Sequence, residues 1–376
     1  MKISCTQENL NLGLGIASHI AAKNSNLPIL SNILVKVEDK IITLITTNLE
    51  IGLTVNIRGK VETDGEFAVE AKLISDFISL LPKERIDLEV VDGDLRIECQ
   101  NQKTKVKGQL ATEFPIIPKI DKKNPYIINA KEFKQGLSEV IFAASNSESR
   151  PEISGVFAKF SENELILAAT DSYRLAEKKL KLAENNQQEE KKIIIPVRTL
   201  QEISRILGSF KDDVGFDDTE NIEIYLSENQ IMFSYGGVDL ISRLIEGQYP
   251  DYTQIIPTTQ KTKVEIDINN LVKAVKTASL FTKSGIYDIK LDFNSQKKEV
   301  VITSSSAQTG ENTSNVEISL EGNDNIIVLN YRYLLDGLQN ISSEKVIMEL
   351  TEGNNPAVIK PKEKDDYVYI IMPIRQ

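Results

Sequence analysis

Apolar positions in this chain alternate over short runs and then recur every three or four residues, and the change of period happens three times in the same way. Phe67–Leu81 (FAVEAKLISDFISLL), Ile193–Leu207 (IIIPVRTLQEISRIL) and Ile326–Ile341 (IIVLNYRYLLDGLQNI) each predict a short strand, a three-residue junction and an amphipathic helix. The helical spacing links Leu73, Phe77, Leu80 and Leu81 in the first, Leu200, Ile203, Ile206 and Leu207 in the second, and Leu334, Leu335 and Leu338 in the third. A basic residue closes each junction: Lys72, Arg198 and Arg332, 126 and 134 positions apart. Periods this long predict repeated domains rather than a solenoid of small units.

The rest of the pattern agrees. After a strand at Lys2–Cys5, a helix is expected over Asn9–Lys23, then a hairpin of Leu27–Val37 and Ile41–Leu53. A second hairpin, Ile86–Val91 with Leu95–Gln100, turns at Asp92-Gly93-Asp94, and Lys103–Leu110 closes the first unit. The second unit repeats the plan. Lys131–Ser145 matches the first helix, Arg150–Phe160 (RPEISGVFAKF) matches LPILSNILVKV, and Glu164–Ala176 matches Ile41–Leu53. A polar loop, Asn185–Lys192, precedes the repeated segment, and strands are expected at Val214–Phe216 and three places beyond it. In the third unit a helix at Asn270–Thr282 is followed by strands at Asp288–Phe293 and Glu299–Ser304 and by a Ser/Thr/Asn-rich turn to Asn315. Proline-bounded connections, Glu113-Phe114-Pro115 with Pro118 and Ile245–Pro257, divide the chain into domains at 1–120, 121–247 and 248–376. Each holds two helices and about eight antiparallel strands, an α+β domain with helices segregated to one side of the sheet.

Charge changes this picture. The chain carries a net charge of −11, which by itself argues against a nucleic-acid partner. Yet the six helix windows sum to +7, leaving −18 on everything else. Mildly basic helices on acidic sheets make two electrically different faces, and a helix-lined face of this kind suits a polyanion met through its phosphates without base reading.

Little else in the chain carries chemistry. Cys5 and Cys99 are too few for a disulfide framework and read as reduced, packed thiols. No apolar run approaches the roughly 18 residues of a membrane span, and MKISCTQENL lacks the apolar core of a signal peptide, so a cytoplasmic protein is expected. Gly13-Leu14-Gly15 lacks the third glycine of a dinucleotide fingerprint and lies within a helix. His19, the only histidine, lies in the same helix, so a Ser or Cys nucleophile has no evident base. Asp171 occupies the repeat position of Asn48 and reads as a turn residue. With no phosphate loop and no Cys/His cluster, no enzyme, cofactor or metal is expected.

At Leu27-Pro28-Ile29-Leu30, Thr47-Asn48-Leu49-Glu50, Glu113-Phe114-Pro115, Ala169–Ala176 (ATDSYRLA), Gly247–Tyr252 (GQYPDY) and Met372-Pro373-Ile374-Arg375, the chain resembles the bacterial sliding clamps, the beta subunits of DNA polymerase III. The order and spacing of these stretches over the whole length make the match specific. The resemblance implies a homodimer joined head to tail into a six-domain ring, helices inside, sliding on duplex DNA without sequence preference. It also implies that the clamp catalyses nothing and tethers the polymerase catalytic subunit, the clamp loader and other proteins bearing a clamp-binding motif, with no membrane partner.

Such partners insert a Gln- and Leu/Phe-bearing peptide between the second and third domains. By resemblance the pocket is Ile153, Thr170, Ser172, Tyr173, Arg174, Leu175, Pro250, Ile255, Ile371, Met372, Pro373, Ile374 and Arg375. Ser172-Tyr173 stands where Gly-His is frequent, and Gln254 where a cation is often found. The DNA-facing residues implied are Lys23, Asn24, Lys72, Arg150, Arg198 and Lys283, and those of the dimer contact Leu280 and Phe281 against the strand around Val106. The competing expectation is an acidic protein-interaction scaffold without DNA contact, for which reversing the charge of Lys72, Arg198 and Arg332 would leave function intact.

Overall fold

The computed structural model describes residues 1–21, 27–109, 111–118, 120–145, 147, 149–183, 189–210, 220–283 and 285–375. In each repeated segment a strand (Gly65–Glu70, Lys191–Pro196, Asn325–Asn330) runs directly into a helix. Six α-helices are found among the described residues, two to a repeat: α1 (Gln7–Ala17), α2 (Ala71–Ser79), α3 (Ala130–Val140), α4 (Val197–Ser209), α5 (Ile268–Ser279) and α6 (Tyr331–Asn340). The junction is a helix cap. Glu70 accepts from the backbone N–H of Lys72 at 3.2 Å and of Leu73 at 2.6 Å, and Asn330 accepts from that of Arg332 at 2.9 Å. Such caps satisfy N–H groups that the first helical turn leaves without partners, and each contributes about 1 kcal/mol. Pro196 has no side-chain acceptor, and its ring fixes φ instead.

Two compact units make up the chain, residues 1–134, 182–187 and 198–244 in one and 135–181, 188–197 and 245–376 in the other. In the first, a thirteen-stranded sheet joins the first repeat to the second: Ile51–Ile57 pairs antiparallel with Val238–Arg243, Leu53 opposite Leu240. In the second, a nine-stranded sheet joins the second repeat to the third: Arg174–Lys181 pairs with Tyr367–Ile371, Ala176 opposite Tyr369. Ile51–Ile57 and Arg174–Lys181 hold one repeat position, and Val238–Arg243 and Tyr367–Ile371 another, so a single kind of junction is built twice. The remaining sheet of the second unit has four strands and ends on Gly310–Glu317.

Several details refine the sequence reading. α1 stops at Ala17, with the Ser18 N–H on Leu14 O at 2.8 Å, instead of running to Lys23. Its Gly13 faces the sheet, where an added Cβ would stand 2.6 Å from Ile57 Cγ2, so this glycine is a packing residue and not part of a phosphate loop. Pro28–Ser31 and Pro151–Ile153 are single 3₁₀ turns ahead of the strands Asn32–Glu38 and Gly155–Phe160, because a proline opens a helical turn but cannot donate to a ladder. Finally, the polar stretch before Asn315 is mostly strand: Gly310–Glu317 pairs residue by residue with Glu299–Ser306. Backbone bonds hold this exposed edge strand, so it lacks the apolar alternation by which buried strands are recognised. The strand expected at 214–216 lies outside the described residues, as does the polar loop at 185–188.

Both cysteines are buried and free, and burial with Asp87 nearby pushes the Cys5 thiol up to about 12. Among the described residues no helix is long and apolar enough to cross a membrane. One buried charge has a structural role. Lys178, 4% exposed, reaches Glu139 at 2.8 Å and Asp366 at 3.0 Å. Lys178→Ala strands the Glu139 carboxylate and is expected to lower stability by about 3–5 kcal/mol, read from the urea midpoint. A loss under about 1 kcal/mol would mean that water compensates the pair.

Candidate functional site

The pocket residues converge in the second unit. The hairpin turn before Arg174 is held by side chains. Asp171 Oδ1 accepts from the N–H groups of Tyr173 (2.9 Å) and Arg174 (3.0 Å), and Thr170 Oγ1 accepts from that of Ser172 (3.1 Å). Asn48 and Thr47 do the same in the first repeat, so Asp171 is the turn residue the repeat predicts. Ser172 sits at φ 78°, which aims Tyr173 outward with 63% of its surface exposed. Tyr173 carbonyl accepts the Met372 N–H at 2.8 Å, and Val328 carbonyl accepts that of Ile374 at 2.8 Å, so the C-terminal tail is laid along the turn.

Ile153, Thr170, Leu175 and Ile371 are buried and form the floor. Pro250, Met372, Pro373 and Ile374 are half-buried walls, with Ile255 and Arg375 exposed at the rim. Arg174 is locked: Nε donates to Asp171 Oδ2 at 3.0 Å, Nη1 to Asp336 Oδ2 at 2.6 Å, and its guanidinium lies 4.6 Å over the Tyr333 ring. Tyr249 and Tyr252 back the floor. Burial raises both phenol pKa values, and Glu177, accepting from Tyr252 Oη at 2.7 Å, raises that of Tyr252 further, so both stay neutral. Sequence reading missed Tyr333, which stacks on Tyr173 at 6.4 Å, and Asp336, since neither belongs to a motif of its own.

The first internal junction has the same layout without an opening. Gly52 stands where Leu175 does, and an added Cβ would meet Ile117 at 2.7 Å. Ile117 packs over Tyr225, Met232 and Ile241, so the connection itself fills the groove.

Among the cations, Lys72, Arg198 and Arg332 occupy the second position of α2, α4 and α6. A cation near a helix N-terminus opposes the helix dipole, so its recurrence there is unfavourable for the helix alone. Among the described residues none of the three has a carboxylate within ion-pair distance, nor do Lys273, Lys276 and Lys283, whereas strand lysines such as Lys103, Lys345 and Lys360 are paired. Arg150 is engaged at the pocket mouth, with Nε on Glu152 at 3.2 Å and Nη1 on Ser172 Oγ at 2.9 Å. Lys23 and Asn24 lie outside the described residues.

The repeat also shows where Val106, Leu280 and Phe281, the residues expected at a subunit contact, lie. His19, Phe142 and Leu280 stand at one distance from the caps Thr6, Asn129 and Asp267. Each of the first two touches the following repeat: His19 Nδ1 meets Glu202 of α4 at 2.7 Å, and the Phe142 ring meets that of Tyr369 at 5.4 Å. Leu280, in the third repeat, is 71% exposed, with Phe281 half-buried and Ile286 exposed beside it. Conversely, Thr199, Ile203 and Ile206 of α4 are buried, while the matching Leu73, Phe77 and Leu80 of α2, in the first repeat, are exposed or half-exposed, Leu80 by 82%. Sheet edges follow suit. Gly310–Glu317 ends its sheet, and Gln102–Gln109, carrying Val106, has Asp94–Cys99 along one side and only the end of Gly65–Glu70 on the other. Val106 itself is buried against Leu95. Lys105 and Lys107 flank it and hold the Asp94 carboxyl below its usual range.

Three such repeats, each of two helices on antiparallel sheet, define a DNA sliding clamp, a non-catalytic processivity subunit of a DNA polymerase. The sequence matches the N-terminal, central and C-terminal domains of the DNA polymerase III beta subunit over residues 1–118, 127–251 and 253–375, and the chain belongs to that family. It is 30% identical over 363 residues to the beta sliding clamp of Staphylococcus epidermidis, covering 93% of both. Its fold is similar to the DNA polymerase III beta subunit of Thermotoga maritima (TM-score 0.91, 26% identity, covering 100% of this chain and 99% of that one). It is equally similar to the sliding clamp of Bacillus subtilis (TM-score 0.91, 25% identity, the same coverage).

Proposed function

We propose that two copies of this chain pair head to tail into a ring of six domains, divided at about residues 120 and 247, that encircles duplex DNA in the cytoplasm. The observation that carries the reading is the junction built twice within the chain and left half-built at each end. The third repeat offers an open edge (Gly310–Glu317) with exposed Leu280 and Ile286; the first offers Gln102–Gln109 with exposed Leu73 and Leu80. In the register of the two internal junctions, Thr104 of one copy faces Asn312 of the other, and Lys105 faces Glu311. Head-to-tail contacts of one kind close a ring when the rotation permits.

Lys72, Arg198, Lys283 and Arg332 then face the duplex as counter-charges to phosphate. Their lack of carboxylate partners favours this reading over a scaffold without DNA contact. The pocket takes Leu/Phe-bearing peptides of the polymerase catalytic subunit, the clamp loader and other clamp-binding proteins. Its buried apolar floor and half-buried Met372 suit such anchors.

Sedimentation equilibrium tests the assembly: about twice the chain mass of 42.1 kDa is expected, and a monomer at micromolar concentration would remove the topological mechanism. Retention on closed circular DNA is expected to outlast a salt step that releases the protein from linear DNA, because topology and not phosphate contact holds a closed ring. Equal salt loss from both would rule out sliding.

A further inference from the structure

We propose that the third repeat carries a stacking site for an unpaired base of single-stranded DNA, formed by Tyr287, Tyr331 and Arg332, a role that rests on the DNA-facing reading of the repeated cation. The Arg332 guanidinium lies 3.6 Å from the centroid of the Tyr287 ring, and Tyr331 meets the same ring edge-on at 5.9 Å and 85°. Arg332 is exposed and has no carboxylate partner among the described residues, so its charge is kept while its plane is fixed.

The other repeats lack this arrangement. Where the third has Tyr287 and Tyr331, the first has Ser31 and Ala71 and the second Ser154 and Val197, although Lys72 and Arg198 stand at the repeat position of Arg332. Tyr287 also adopts φ 60°, a conformation that L side chains rarely take. It is held there by the Tyr331 N–H on its carbonyl at 2.9 Å and by its own N–H on Lys283 carbonyl at 3.3 Å.

Phosphate needs only the charge that Lys72 and Arg198 already supply. The added feature is a flat, preorganised surface of guanidinium and ring, which stacks on a base. Bases within a duplex are stacked on one another, so the matching ligand is an unpaired nucleotide next to the duplex.

Fluorescence anisotropy with the full chain tests this on three DNAs: a blunt duplex, the duplex with a short 5′ oligothymidine tail, and the duplex with an abasic tail that keeps the phosphates. The wild type is expected to bind the thymidine tail at least about fivefold tighter than the abasic tail. Tyr287→Ser, which restores the residue of the other repeats, should bring that ratio to about one with blunt-duplex affinity within about twofold of wild type, and Arg332→Lys, which keeps the charge, should bring the ratio of the two tails to about one as well. Equal binding of both tails by the wild type, or a ratio that survives both substitutions, overturns the stacking site and leaves the clamp reading standing. Failure of the wild type to bind any of the three DNAs overturns the DNA-facing reading and the site with it.

Discussion

Deleting residues 372–376 is expected to leave an assembled dimer that no longer captures Leu/Phe-bearing peptides. The tail is fastened by two backbone bonds, Met372 N–H to Tyr173 carbonyl and Ile374 N–H to Val328 carbonyl, each 2.8 Å. Its half-buried Met372, Pro373 and Ile374 stand along the pocket whose floor is Ile153 and Leu175. Removing three apolar side chains from contact with a peptide at about 1 kcal/mol or more each weakens binding at least about hundredfold. A labelled peptide measured by anisotropy gives the affinity, and sedimentation of the same sample gives the mass. If the dimer disappears together with peptide binding, the tail belongs to the subunit contact and the pocket lies elsewhere.

Leu280→Ala combined with Phe281→Ala is expected to convert the dimer to monomers at micromolar concentration. Leu280 is exposed where its counterparts His19 and Phe142 are engaged by the next repeat, and Phe281 lies 4.0 Å from the place of a Cβ on Gly310, at the open strand. Burying two such side chains contributes about 1.5–3 kcal/mol each per interface. A two-subunit ring has two identical interfaces, so the loss is doubled and the dissociation constant rises by at least about four orders of magnitude. Since Leu280 packs little within its own chain, the monomers should keep the thermal midpoint of the isolated fold. An unchanged mass would remove both residues from the contact.

How far the sites were legible differs from one residue to the next. Arg174 and Leu175 lie in a stretch that recurs as a hairpin, so their placement followed from the repeat. That Ile371 is fully buried while Met372, one residue on, is half-open depends on Tyr367–Ile371 adding to the sheet of another repeat. Arg150 looked like one more cation, yet its side chain is turned to Ser172 and Glu152, partners brought to it by folding. The spacing of Leu73, Phe77 and Leu80 marks an apolar helix face without saying what covers it; the same face is buried in α4, where the preceding repeat brings His19 to Glu202 and the Ile16 carbonyl to Arg205.

The sequence by itself determined the three strand–junction–helix units, the capped helices and the cation at each helix start, because periodicity and capping are local and act within a few residues. The tertiary structure alone decided which of the equivalent surfaces are covered. Burial depends on whether a neighbouring repeat exists to meet a face, and an edge strand such as Gly310–Glu317 is held by backbone hydrogen bonds that leave no mark in the side-chain pattern.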